Sequence, residues 1–331
     1  MRLIFAGTPE FAVPPLQRLL DAAAGGTDTD IETVAVLTAP DRAVGRSGRP
    51  VPPPVKETAE AAGIPVLQPE TIGRSFSRQV ASLRPDLLVA VAYGKIFRPY
   101  FLEVFPQGGI NLHPSLLPKW RGPSPIPAAI LAGDATTGVT IQRLAEEMDA
   151  GDVLLQRQVS LDTSQTTASL SGQLAEVGAQ MLLEVVGQLG RGVAQAISQD
   201  HAQATYCHLI AKEDGRIDWS RPAAEIERAV RAYQPWPHAY TTLAGRQMIV
   251  DQAAVVEVAA NEGADPARSA PAPQPGSVAS VDKRRGILVH TGAGRLLITR
   301  VQLQGKRPMD AAAFANGFPQ LAESVLGSDA T

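Results

Sequence analysis

The sequence predicts two domains, an open and mostly parallel α/β sheet over residues 1–207 and a small β-barrel over residues 208–331. Three observations carry that division. Continuous apolar runs alternate with stretches of helical spacing through the first two hundred residues, the pattern of strands buried on both faces and joined by crossover helices. Past residue 207 the apolar runs alternate with polar residues, as half-buried antiparallel strands do. A chain of 331 residues with 44% hydrophobic content is also long enough for two cores.

Residues 3–6, 33–37 and 87–92 read as the first buried strands, and 110–113, 139–143 and 153–159 continue the series. Helical spacing over 14–24, 54–62 and 75–83 supplies the crossovers, and 167–189 predicts one long helix. Ligands of such sheets bind at the carboxyl ends of the strands, near a topological switch point, so the turns there matter most. The first such turn, GTPEF at 7–11, could bring backbone N–H groups toward a ligand. It lacks the glycines of G-x-G-x-x-G, which argues against a nicotinamide-linked dehydrogenase.

The stretch 39–54 after the second strand holds Arg42, Arg46 and Arg49 among two glycines and five prolines. A loop of that length without structure of its own is usually functional or disordered, so a cationic arm and a solubilising surface loop both stay open. In the second domain, DWS at 218–220 precedes a helix at 222–231, and YQPWPH follows at 233–238. Strands are predicted at 239–243, 247–256, 287–290 and 296–303, with a flexible Ala/Pro/Gly insertion at 258–276.

Charge and cysteine content narrow the function classes. The net charge of −3 hides a gradient, because 14 Lys/Arg face 13 Asp/Glu from residue 208 onward. Between Asp282 and Arg307, Lys283, Arg284, Arg285, Arg295, Arg300, Lys306 and Arg307 meet a single acid. Such a cluster attracts a polyanion or is simply a solvated face, and charge alone does not choose. One cysteine, Cys207, excludes an intrachain disulfide and a zinc site of paired cysteines, so no metal is expected. The start, MRLIFAGTPEF, has too short an apolar run for a signal peptide or a span, which predicts a soluble cytoplasmic protein without membrane attachment.

The chemistry concentrates in GINLHPSLLP at 109–118. On a strand Asn111 and His113 project to one side while Ile110 and Leu112 pack on the other. Pro114 cannot continue a central ladder, so the strand should end there and leave the pair at its carboxyl end. The polar turn EMDAGD at 147–152 follows another apolar run and offers Asp149. A lone histidine is as often structural as catalytic; the neighbouring amide and this acid move His113 toward catalysis.

The stretch INLHPSLLPKWRGPSPIPAAILAGDATTGVTIQRLAEEMDAGDVL resembles the folate-dependent formyltransferases, which share an Asn, a His and an Asp around a formyl donor. Matched motif to motif, these are Asn111, His113 and Asp149, with Asp149 38 positions after Asn111. The resemblance implies a Rossmann-like formyltransferase fold, an OB-like C-terminal barrel that binds tRNA, and 10-formyltetrahydrofolate as donor. By the family pattern Ser115, Leu116, Leu117 and Pro118 are folate contacts, and Val91, Ala92, Tyr93 and Gly94 form the pterin wall. Asn111 and a protonated His113 would stabilise charge on the formyl oxygen, while Asp149 would orient His113 or accept a proton, directly or through water. Members of the family can carry Gly where this chain has Pro114, a difference that stiffens the loop.

FAGTPEFAVPPL, APDRAVGR, RIDWS, AYQPWP and GKRPM extend the likeness over both domains, toward the members that formylate the α-amino group of methionyl-initiator tRNA for translation initiation. That likeness gives Arg42, Arg46, Arg49, Lys283, Arg284, Arg285, Lys306 and Arg307 the acceptor stem as a partner, and implies no obligate protein partner. Transfer to a sugar-nucleotide amine, hydrolysis of the same donor, and a non-catalytic RNA-binding scaffold are the competing readings. The last of these predicts missing catalytic residues, and all three are present.

Overall fold

A computed structural model of the chain describes residues 1–25, 31–43, 48–256, 273–282 and 284–328. These form two compact units. One comprises Met1–Ile126, Ala135–Leu161 and Ser169–His208, and the other Pro127–Asp134, Asp162–Ala168 and Leu209–Thr331.

The first unit is built on a seven-stranded sheet. Its strands are β1 (Arg2–Gly7), β2 (Glu32–Leu37), β5 (Val66–Leu67), β6 (Leu87–Val91), β7 (Gly109–His113), β8 (Thr136–Arg143) and β9 (Val153–Ser160). A two-stranded ribbon, β3 (Arg42–Ala43) with β4 (Pro50–Val51), stands outside it. The order β5-β2-β1-β6-β7-β8-β9 is parallel through β7 and antiparallel at β8 and β9. The chain leaves β1 toward β2 and later returns to β6 on its other flank, so the switch point lies between β1 and β6.

The predicted helices appear as α1 (Val13–Ala24), α2 (Pro54–Ala61), α3 (Arg74–Ser82) and α6 (Thr167–Gly190). Two short helices went unread, α4 (Pro99–Leu102) and α5 (Pro125–Ala132). Each begins on a proline, whose fixed φ suits the first helical position. Helix α6 buries Leu170, Leu174, Met181, Leu182, Val185, Val186 and Leu189, each worth roughly 1.5–3 kcal/mol when fully removed from water. Its approach to β7 is so close that a Cβ on Gly178 would come 2.6 Å from Leu112 Cδ1. That contact fills the Leu112 face of β7 and leaves the Asn111–His113 face for chemistry. In the cluster with Ile4, Ala6 and Leu88, Tyr93, Phe97 and Phe101 stack in series, Phe76 stacks on Phe101 and Phe105 meets Phe101 edge-on.

The second unit carries a six-stranded antiparallel sheet. Strands β10 (Ala239–Leu243), β11 (Arg246–Val256), β14 (Arg295–Leu303), β13 (Gly286–His290) and β12 (Val278–Asp282) are neighbours in that order, and β15 (Met309–Asp310) pairs with β14. Helices α7 (Ala223–Ala232) and α8 (Ala311–Asn316) complete the core with Trp219, Ile226, Val230, Phe314 and Leu321. β12, β15 and α8 were not read from the sequence; β15 and α8 span only two and six residues, and β12 carries just two apolar residues besides Ala279. Most of the predicted insertion at 258–276 lies outside the described residues.

Candidate active site

Strand β7 ends at His113, as Pro114 requires, with Ala90 and Gln142 flanking Asn111 on the neighbouring strands. Asn111 is half-buried and His113 is 4% exposed. The β8–β9 turn folds back over this face and brings Asp149 to them, in the left-handed conformation at φ 54°. Aspartate tolerates that region better than most residues because its short polar side chain finds local partners.

The partners here come from distant segments. Asp149 Oδ1 accepts from Gln142 Nε2 at 2.9 Å and from Asn111 Nδ2 at 3.4 Å, and it faces His113 Nδ1 at 3.5 Å. Asp149 Oδ2 accepts the Gly122 N–H at 2.9 Å. The other ring nitrogen, His113 Nε2, lies 2.9 Å from the Trp120 carbonyl. A carbonyl can only accept, so Nε2 carries a proton in either charge state and Nδ1 is the nitrogen left for the site. Gly122 holds its place at φ 117°, where a Cβ would strike the Cys207 carbonyl.

The structure thus brings together the three groups named from the sequence, while sequence reasoning missed their holders, Gln142, the Gly122 amide and the Trp120 carbonyl. Gln142 stands 31 positions from Asn111 and Gly122 27 from Asp149. Strand pairing alone puts Gln142 opposite Asn111, so a register argument could have found it.

The SLLP loop is used by the scaffold. Ser115 Oγ donates to the Lys119 carbonyl at 2.5 Å, and the Ser115 carbonyl accepts from Thr140 Oγ1 at 2.7 Å. Leu117 N–H donates to Thr140 Oγ1 at 3.1 Å, and Gln156 Nε2 donates to the Leu117 carbonyl at 2.7 Å. Leu116 packs where a Cβ on Gly138 would meet it at 2.5 Å, and the Leu117–Pro118 peptide is cis. This brace carries the chain from β7 to Trp120 and Gly122, directly over the three groups.

At the end of β6, Val91 is buried, while Ala92 and Gly94 are exposed at φ 48° and 81°. The Tyr93 carbonyl accepts from Thr8 Oγ1 at 3.3 Å, which ties this turn to the GTPEF turn after β1. Burial pushes the Tyr93 phenol up to about 12, so it stays neutral. Beyond it opens a cavity of 530 Å³, lined by Ile96, Phe97, Arg98, Pro99, Leu102 and Glu103 and by Leu144, Ala145 and Glu146 of the turn that carries Asp149. Neither SLLP nor 91–94 is among those lining residues. Another hollow, of 450 Å³, lies in the second unit around Trp219, Gln274 and Leu326 and contains none of the predicted site residues.

The cationic positions are on the surface. Arg42 and Arg49 are exposed on and beside the β3–β4 ribbon, whose base is fixed where Asp41 accepts from Gln68 at 2.7 Å and Lys56 at 2.8 Å. Those two donors, Gln68 first, hold the Asp41 carboxyl below its usual range. Arg284 and Arg285 are exposed in the β12–β13 turn, and Lys306 and Arg307 in the turn after β14. With Ile287 opposite Ile298, both turns lie toward the carboxyl-terminal half of β14. Arg46 and Lys283 lie outside the described residues. Among the described residues, no cluster of three or more His, Cys, Asp or Glu is placed to hold a metal ion, and no helix is long and apolar enough to cross a membrane.

A formyl transferase family model matches residues 1–186, and the model of the formyl transferase C-terminal domain matches residues 209–319. The chain is 43% identical over 335 residues to a methionyl-tRNA formyltransferase of Treponema pallidum (strain Nichols), and 45% identical over 328 residues to one of Roseiflexus castenholzii (strain DSM 13941 / HLO8). Each match covers 99% of both chains. In fold it is similar to WlaRD, a sugar 3N-formyl transferase crystallised with dTDP and 5-N-formyl-THF, with TM-score 0.63 and 15% identity over 93% of this chain and 99% of that one.

Proposed function

The chain belongs to the methionyl-tRNA formyltransferases, and from that membership we propose how its residues perform the transfer. It is a formyl-transferring enzyme that formylates methionyl-tRNA from a folate-derived donor. In the proposal 10-formyltetrahydrofolate is the donor, charged initiator tRNA is the acceptor, and Asn111, His113 and Asp149 are the catalytic residues. The convergence of an amide, an imidazole and a carboxylate within 3.5 Å on the open face of β7 carries this reading.

The 530 Å³ cavity suits a flat heterocycle with polar edges, since Phe97, Leu102 and Leu144 give apolar walls and Arg98, Glu103 and Glu146 give charged partners. Ile96, Phe97, Leu102 and Leu144 would hold the pterin there, and the bound donor supplies an activated formyl carbon. Asn111 Nδ2 is tied to Asp149 only by a long contact, which leaves it free to donate to charge developing on the formyl oxygen. His113, anchored through Nε2, turns Nδ1 toward the same place. The α-amino group, whose pKa is about 8, attacks as the neutral amine. As its N–C bond forms it gives one proton, directly or through one water, to His113 Nδ1 backed by Asp149. The adduct then breaks the bond between the formyl carbon and the donor's nitrogen, which takes that proton as the folate leaves.

The tRNA contacts rest on charge. Arg42, Arg46 and Arg49 would enter at the acceptor end, and Lys283, Arg284, Arg285, Lys306 and Arg307 would neutralise stem phosphates with release of counterions. Residues 208–331 are on this reading the tRNA-binding domain, and the acceptor places the reaction in the cytoplasm. The relatives of full length do not favour a sugar-nucleotide or hydrolytic reading.

The test follows labelled formyl from 10-formyltetrahydrofolate to methionyl-tRNA, to an amino-sugar nucleotide and to water. Label should reach the tRNA alone. His113→Ala should lower turnover on the order of 10²–10⁴-fold with an unchanged melting transition. Near-normal turnover in that variant overturns the centre; label on the sugar, or free formate, overturns the acceptor.

A further inference from the structure

We propose that Gln199 and Arg121, which no motif singled out, are positioning residues that fix the backbone of Asp149; the inference rests on the reading of Asp149 as catalytic.

The β8–β9 turn has little apolar anchoring of its own. Ala145, Glu146, Glu147 and Met148 are all exposed, yet Asp149 sits in a left-handed conformation that a free turn would leave. Something outside the turn must hold it. Gln199 Nε2 donates to the Asp149 carbonyl at 2.9 Å and to the Gly151 carbonyl at 2.7 Å, bridging the two residues on either side of Ala150. Gln199 is 7% exposed, so these bonds do not compete with bulk water.

The orientation of that amide is dictated by Arg121. Its Nε and Nη2 lie 3.2 and 2.8 Å from Gln199 Oε1. A guanidinium only donates, so the amide oxygen must face it and both amide hydrogens must face the turn. A flipped amide would set donor against donor. Arg121 is 1% exposed, and burying a guanidinium is costly unless its donors are filled. Besides Gln199, His201 Nδ1 stands 3.1 Å from Nη2 and Tyr206 Oη 3.5 Å from Nη1, and the Glu147 carboxylate forms an ion pair with Nη1 at 3.6 Å. The main chain of Arg121 is pinned as well, by Thr205 O on its N–H at 2.8 Å and by the Cys207 N–H on its carbonyl at 2.9 Å.

One tripeptide therefore reaches the centre in three ways. Trp120 offers its carbonyl to His113, Arg121 acts on the Asp149 carbonyl through Gln199, and Gly122 gives its N–H to the Asp149 carboxylate. Lysine could not replace the arginine, because a single ammonium lacks the planar fork that aims two N–H groups at one oxygen.

Formyl transfer to methionyl-tRNA distinguishes this role from a general structural one. Gln199→Met keeps the volume and loses the amide; Arg121→Lys keeps the charge and loses the fork. Each should lower kcat about 10–100-fold while KM for donor and for tRNA stays within a few-fold, since misplacement of about 1 Å costs that much. Combined with Asp149→Asn, the loss should fall well short of the product of the single losses, because the clamp acts only through Asp149. Wild-type kcat in folded Gln199→Met, or fully multiplicative losses, overturns the proposal. Should Gln199→Met not fold, Arg121→Lys and its double variant decide by the same criterion. Full activity in Asp149→Asn alone would instead overturn the catalytic reading beneath it.

Discussion

Two aspartates in this molecule organise turns by collecting N–H groups, and they do so in opposite ways. Asp282 takes the backbone N–H groups of Arg284 and Arg285 at 2.8 and 3.0 Å, two and three residues ahead of it, in full solvent. Asp149 takes its donors from β7, from β8 and from the loop at Gly122, 38, 7 and 27 positions away, in a half-buried site. The first turn holds itself. The second exists only when the whole first unit has folded, and its geometry is correspondingly sensitive to residues that touch no substrate. A surface that meets phosphates needs charge and tolerates movement, whereas a centre that receives a proton needs fixed distances.

The contrast breaks most visibly at Gly122. Gly122→Ala should cost roughly 1–3 kcal/mol in a denaturant melt, since φ 117° and the Cys207 carbonyl leave no room for a Cβ. Formyl transfer should fall further than the stability loss accounts for, because the N–H that holds Asp149 moves. A wild-type rate with the expected loss of stability would mean that the carboxylate does not depend on this amide. At the exposed turn, Arg284→Ala with Arg285→Ala should leave the melt unchanged. It should reduce the salt dependence of tRNA use, by up to about 2 in the logarithmic slope if both touch phosphate. An unchanged slope would remove this turn from the tRNA footprint.

The smallest effect belongs to Asp282 itself. The Arg284 and Arg285 N–H groups hold its carboxyl below the usual range. The stabilisation is therefore complete above the unfolded value of about 3.9 and disappears as pH falls through the lowered folded value. Asp282→Asn should be slightly less stable than the parent near neutrality, and the difference should close as pH falls below about 4. A difference that persists unchanged at low pH would contradict that linkage.

What could be read from sequence follows the same division. The strand that carries Asn111 and His113 was legible because Pro114 ends it and its alternation separates the chemical face from the Leu112 face. Helix α6 was legible from its long apolar stripe. Asp149 was legible as an acid on the polar turn after β8, but its place in the motif came through resemblance, since nothing local says that its turn returns to β7. Gln142 was legible only to a register argument, and Gln199 and Arg121 not at all, as a buried polar side chain looks like any surface one until its partners are in place. The cavity lining shows the same limit. The cavity beyond β6 is lined from Ile96 onward and not by 91–94, and the sequence does not reveal that α4 carries the chain back beside Leu144.

The bond from His113 Nε2 to the carbonyl of Trp120 has a different kind of consequence. Every residue type brings that oxygen, so no side-chain scan will uncover it, and position 120 can drift in identity without losing it. The Gly122 amide shares this anonymity. Part of the proposed active site is thus inherited through the path of the main chain, and only chemistry that edits the backbone, such as an amide-to-ester exchange at 120–121 or 121–122, would make that part visible.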